Sequence, residues 1–176
     1  MLYYTFICGI IIKMPFCKLY FLRFGSFDII KLYFEDKRGV NVIVIVCVDD
    51  NLGMMFNNRR QSRDVEVVKK IVELTKGSRL WMNRYSYELF ENLESANVNV
   101  DSGFLSETAN EEYCFVENVY LEPYEKWVEK IIVFRWNTVY PSDRELDIDL
   151  KAWQLIESSD FVGKSHKKIT MEVYIK

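Results

Sequence analysis

Val40-Asn41-Val42-Ile43-Val44-Ile45-Val46-Cys47-Val48, followed at once by Asp49-Asp50-Asn51-Leu52-Gly53, is the stretch on which the fold turns. Val42 to Val46 are consecutive β-branched residues, which favour extended backbone. A strand without polar alternation has no face to give to water. It therefore belongs near the centre of a sheet covered on both sides. The Asp-Asp-Asn-Leu-Gly run supplies turn residues and ends it.

Upstream, residues 17–23 and 28–34 are rich in aromatic and branched side chains and predict two strands, with a break at Gly25-Ser26. Residues 36–39 read as a charged turn. Residues 1–12 are apolar but only about half the length of a membrane span. Lys13, Pro15 and Lys18 interrupt that run, and neither a basic leader nor a small-residue cleavage site accompanies it. Met14 opens a stretch of ordinary protein character. Residues 1–13 are thus expected to be an N-terminal extension, or else an edge or core-packing segment, of a single α+β domain over 14–176.

Downstream, residues 54–61 suit a short strand or a loop. A helix follows, capped by Ser62 or Asp64, with Val65, Val68, Ile71 and Val72 on one face and Gly77 at its end. Lys69, Lys70 and Lys76 lie late in it, where the helix dipole favours cations. Trp81, Tyr85, Leu89 and Leu93 recur every fourth residue and predict a second helix within 79–94. Residues 95–112 read mostly as loop, with a helical turn at 104–109. Strands at 113–121 and 127–136 flank Glu122-Pro123-Tyr124-Glu125, the composition of a hairpin connection. Residues 144–150 alternate, with Leu146, Ile148 and Leu150 inward. Residues 168–176 alternate likewise, with Ile169, Met171, Val173 and Ile175 inward. Strands, then two helices, then strands predict an α+β fold: a mostly antiparallel twisted sheet with two main helices packed on one face.

The composition agrees with a packed domain. Of 176 residues, 49% are hydrophobic, enough for a core, and 28% are charged, enough for a solvated surface. A formal charge of −3 argues against a dedicated nucleic-acid binder, whose affinity comes from neutralising phosphates. Cys8, Cys17, Cys47 and Cys114 form no C-x-x-C pair, and His166 is the only histidine, so a zinc site of the usual spacing cannot be built. Reduced thiols fit a cytoplasmic protein with no membrane span. No cofactor or metal is expected.

Several constellations carry possible chemistry. Arg59, Arg60 and Arg63, just before a helix start, are candidates for binding an anion. Asp49 and Asp50 after the central strand, with His166 as a general base, form an alternative enzyme site. Glu145, Asp147 and Asp149 project together from an alternating strand and are candidates for docking a basic partner. Gly163-Lys164-Ser165 ends like a phosphate-binding loop, but Ser158 stands where the first glycine is needed and no helix can follow. No serine sits in a nucleophile elbow. No catalytic residue is therefore assigned. The expectation is a small intracellular macromolecule-binding protein, of immunity or inhibitor type, engaging a protein partner of basic charge. The alternative is a phosphate-handling or nucleic-acid-processing enzyme that uses the arginines and the carboxylate pair.

Overall fold

The computed structural model describes residues 41–91 and 97–176 in full, and residues 4–7, 10–13, 17–24 and 27–34 by their backbone. The chain divides into two compact units, Met1–Arg38 and Gly39–Lys176. The first contains two antiparallel hairpins. In one, β1 (Tyr4–Ile7) pairs with β2 (Ile10–Lys13). In the other, β3 (Cys17–Phe24) pairs with β4 (Phe27–Phe34), close to the two strands predicted there. The expected break at Gly25-Ser26 and turn at 36–39 lie outside the described residues.

The second unit is built around β5 (Val42–Val48), whose Val42 to Val46 are all buried, as the apolar run predicts. A tight hairpin follows, β6 (Gly53–Phe56) and β7 (Arg59–Arg60). Its two connecting residues, Asn57 and Asn58, both have positive φ, 49° and 58°. That is the conformation asparagine tolerates and two-residue hairpins need. Helix α1 (Val65–Leu74) comes next. Its N-cap is Asp64, whose side chain accepts from the Glu66 N–H. It buries Val67, Val68 and Ile71, each contributing about 1.5–3 kcal/mol. Val65, expected on that face, is 38% exposed, and Val67 takes its place. Gly77, at φ 89°, turns the chain away where most side chains would be strained.

The remaining elements are β8 (Leu80–Met82), the single-turn α2 (Arg84–Tyr87), β9 (Val98–Val100), the single-turn α3 (Phe104–Glu107), β10 (Tyr113–Val116), β11 (Val128–Arg135), β12 (Arg144–Glu145), β13 (Gln154–Phe161) and β14 (Ile169–Ile175). Short 3-10 segments occupy Glu122–Trp127 and Leu150–Ala152. The main sheet has seven strands in the order β13-β14-β11-β5-β10-β8-β9, and β12-β6-β7 make a small separate sheet.

The mixed α-and-β character agrees with the sequence, but two details do not. The sheet is not mostly antiparallel: β9, β8, β10, β5 and β11 are all parallel, and only β14 and β13 run against their neighbours. The segment with Glu122-Pro123 is not a hairpin turn. It carries the chain from β10 to β11, which lie on opposite sides of β5. Nor are there two main helices on one face, since α1 is the only described α-helix longer than one turn. Within 79–94, Leu80 to Met82 join the sheet instead, and the Asn83 side chain caps a new turn by accepting from the Ser86 N–H.

Each face of the sheet has its own core. Ile43, Ile45, Phe115, Ile132 and Phe134 face α1. Val44, Val46, Val116, Ile131 and Val133 face the opposite layer, which is made of short segments that include Phe104, Leu121, Leu146, Ile148 and Trp153. Among the described residues, no helix is long and apolar enough to cross a membrane.

Candidate functional site

Two carboxylates leave the two central parallel strands at the same end of the sheet. Asp49 follows β5, and Glu117 follows β10. In parallel sheets ligands gather at this carboxyl edge, where connections from neighbouring strands diverge. Here the chain leaves β5 toward β8, and leaves β10 for β11 on the other side of β5. The chemistry of this edge therefore decides what the site can do.

Asp49 is fully buried and its acceptor capacity is taken up. Oδ1 accepts from the N–H groups of Asn51 at 2.8 Å and Gly53 at 2.7 Å. Oδ2 accepts from Gln61 Nε2 at 3.1 Å and the Tyr140 N–H at 2.9 Å. It organises the turn, the β6–β7 hairpin and the 137–143 loop together. Asp50 is exposed. Among the described residues no group of three His, Cys, Asp or Glu could hold a metal ion.

The three arginines separate. Arg59 is exposed and has no ion pair among the described residues. Arg60 turns inward: its Nε lies 3.1 Å from Glu117 Oε1, with both side chains less than a tenth exposed. Its guanidinium also stacks over the Tyr85 ring at 4.3 Å and donates to the Tyr85 carbonyl at 2.7 Å. Burial pushes the Glu117 carboxyl above its ordinary range, and Arg60, Ser86 and Arg63 pull it part of the way back. Arg63 is exposed beside α1.

The expected anion site at the start of α1 is already filled by the protein itself. The buried Asp64 carboxylate accepts from the Lys164 N–H at 3.1 Å, the Ser165 N–H at 2.8 Å and the Ser165 hydroxyl at 2.8 Å. Burial alone would raise its pKa. The hydrogen bonds from Ser165, Lys164 and Glu66 outweigh that and hold the carboxyl well below its ordinary value. The Gly163-Lys164-Ser165 stretch thus does cradle an anion through backbone N–H groups, but the anion is Asp64. Gly163 sits so close that an added Cβ would come within 2.4 Å of Asp64 Oδ2.

His166 lies in the same network. Its ring stacks on Trp136 with centroids 4.8 Å apart. Its Nε2 is 2.9 Å from the Tyr140 hydroxyl, and its Nδ1 is 2.9 Å from Ser165 Oγ. Both ring nitrogens are therefore engaged. Cys47, beside Glu117, is held as the neutral thiol: burial first, then the Glu117 charge, raises its pKa well above the ordinary value.

The acidic segment divides as well. Only Arg144–Glu145 forms a strand, although Leu146, Ile148 and Leu150 are buried as expected. Asp147 accepts from the Leu121 N–H at 2.9 Å and the Glu122 N–H at 2.9 Å, which fixes the start of the Glu122–Trp127 segment. Asp149 caps Leu150–Ala152 by accepting from the Lys151 N–H at 3.0 Å. Glu145 is exposed.

A cleft of about 540 Å³ opens between the β6–β7 hairpin and the 140–141 segment. Phe56, Arg59, Arg60, Gln61, Tyr140 and Pro141 line it. Phe56 is 43% exposed, and Val139 next to Tyr140 is 57% exposed. Sequence reading found Arg59 but missed Phe56, Tyr140 and Glu117. Glu117 carries a legible signal: like Asp49, it is a carboxylate that directly follows an apolar strand. Neither a protein-family model nor a curated protein matches the chain.

Proposed function

We propose that this is a macromolecule-binding protein rather than a catalyst, and that it docks an acidic segment of a protein partner in the cleft of Phe56, Arg59, Tyr140 and Pro141. The observation that carries this reading is the place of Arg59 on the cleft: Asp50, Arg63 and Glu145 are exposed too but do not line it, and the other charged candidates are spent on the fold. Arg59 stands exposed on a cleft with two aromatic rings. Asp49, Arg60, Asp64, Asp147, Asp149 and His166 are all engaged in holding the fold. Arginine and tyrosine beside apolar surface are the residues that dominate protein–protein affinity. One exposed guanidinium on the cleft suits a carboxylate, whereas a phosphate is normally met by several converging donors.

An inhibitor- or immunity-type role is compatible in kind, with the sign of the partner's charge reversed from the basic partner suggested by Glu145, Asp147 and Asp149. A phosphate-handling enzyme draws less support, because Asp49 and His166 already have partners within the chain and no group of carboxylates fit for a metal includes Asp50 among the described residues. The neutral thiol of Cys47 suits a reducing compartment such as the cytoplasm.

Amide and side-chain NMR titration tests the reading with three probes: an extended peptide carrying Asp and Glu among apolar residues, its Lys/Arg counterpart, and inorganic phosphate. Shifts centred on Phe56, Arg59 and Tyr140 with the acidic peptide alone are expected, and Arg59→Ala should weaken binding about tenfold or more. Saturation of Arg59 by phosphate, or shifts centred on Glu145 with the basic peptide, would overturn it.

A further inference from the structure

The two edges of the main sheet differ in what they leave open. At one edge, β9 is only three residues long. At the other, β13 is eight residues long, pairs among the described strands with β14 alone, and has Gln154 to Asp160 all exposed. An edge strand turns alternate N–H and C=O groups toward whatever lies beside it. Proteins usually blunt such an edge with lysine, proline, a bulge or shortness. Residues 154–162 contain neither lysine nor proline. The bulge between Leu155 and Glu157 lies at the start of the strand, and Glu157 to Phe161 pair regularly with β14. Leu155, Ile156 and Val162 are 47%, 50% and 73% exposed.

The order of residues along this edge says what fits it. Leu155-Ile156-Glu157-Ser158 runs apolar, apolar, acidic, serine, and Ser159-Asp160-Phe161-Val162 runs serine, acidic, apolar, apolar. By chemical class the stretch is the same in either direction. An isologous contact needs that pattern, because about a two-fold axis residue i meets j and j meets i. We propose that β13 is a self-association edge, at which two copies of this chain pair their β13 strands antiparallel about a two-fold axis between Ser158 and Ser159.

In that register Leu155 lies opposite the partner's Val162, Ile156 opposite the partner's Phe161, and Ser158 opposite the partner's Ser159. Cross-strand apolar and hydroxyl pairs of this kind are what stabilise a sheet. The one unfavourable pair is Glu157 opposite the partner's Asp160. Lys168 offsets it, since its Nζ lies 3.0 Å from Asp160 Oδ2 within each copy. The antiparallel order of β11, β14 and β13 continues across the axis into the second copy. This inference stands on the sheet edge alone and is independent of what the cleft binds.

Sedimentation of the full chain across a range of concentrations tests it, together with isotope-filtered NOE spectroscopy on a mixture of labelled and unlabelled protein. Expected are a reversible dimer and intermolecular NOEs from the Leu155 methyls to the partner's Val162 methyls. Ile156→Lys puts a charge on the edge at a half-exposed position. It should weaken association about tenfold or more, because the two-fold axis counts each change twice. Glu157→Gln removes the one like-charge pair and should tighten association. A chain that stays monomeric at its highest soluble concentration overturns the proposal, even where β13 then accepts a strand from a different protein. So does a dimer whose intermolecular NOEs bypass residues 155–162, or one that Ile156→Lys leaves unchanged. The NOE map of the unaltered protein decides even if that variant fails to fold.

Discussion

At the scale of single residues, the carboxylates are the joints of this molecule. Asp64 ties the start of α1 to the 163–166 loop, so its loss should act on stability rather than on binding. Asp64→Asn should cost about 2–4 kcal/mol at neutral pH, from the lost cap and the weakened bonds to Lys164 and Ser165. The pH dependence follows from the sign of the shift. The folded-state pKa lies below the ordinary 3.8, so the unfolded chain takes up the proton first. The contribution is complete above about 3.8 and is lost as pH falls toward the lower folded value. Urea melts should therefore show a full gap between wild type and Asp64→Asn at neutral pH and a shrinking one below that value. An unchanged gap would mean that the carboxylate's charge does nothing. Gly163→Ala, by placing a Cβ against Asp64 Oδ2 and Ile169 Cδ1, should cost about 1–3 kcal/mol at either pH. The role of Asp49 was only half legible. Its place after an apolar strand marks it as a turn residue, but its bond to the Tyr140 N–H spans 91 positions, and no local pattern announces such a partner.

At the scale of elements, alternation tells what is inside but not what the outward side chains do. Leu146, Ile148 and Leu150 point inward as their spacing predicts. Alternation predicts one exposed stripe for the carboxylates between them, yet Asp147 reaches the N–H groups of Leu121 and Glu122, and Asp149 caps its own turn. A strand that ends at Glu145 no longer obliges the next residues to share a face. Thermal or urea denaturation separates the roles. Asp147→Ala should lose about 1–2 kcal/mol by freeing two N–H groups, whereas Glu145→Gln should stay within about 0.5 kcal/mol. Equal, negligible effects would restore the stripe as a solvated surface. The four-residue spacing of Trp81, Tyr85 and Leu89 misled for a related reason. Trp81 lies on β8 and its indole N–H reaches Glu112, while Tyr85 sits on a separate turn whose start Asn83 dictates. A capping asparagine in mid-pattern was the signal against one continuous helix.

At the scale of the whole molecule, the unbroken run from Val42 to Val46 is the most informative feature, and it bears on strand direction as well as burial. Burial on both faces is the signature of a parallel sheet. The strand-rich ends of the chain suggested hairpins, and only the β13–β14 pair is one within the main sheet. Parallel order is illegible locally, because which strand lies beside β5 depends on the path between β10 and β11 and not on the composition of either. The same topology argues for an autonomous second unit. Gly39–Lys176 contains every strand of the seven-stranded sheet, α1 on one face and the Leu121, Leu146 and Trp153 layer on the other. A two-faced core of this kind is what allows a chain segment of such length to fold alone. Residues 39–176 expressed without the preceding segment should therefore melt cooperatively and keep the dispersed methyl and amide NMR signals of Val44, Ile45 and Phe115. Both cores meet at β5, so partial folding is not an expected outcome: if either face fails, the sheet between them loses its cover. A truncated protein with helical circular dichroism but collapsed methyl dispersion would show that Met1–Arg38 supplies part of that cover, and the boundary of the folding unit would move to include it.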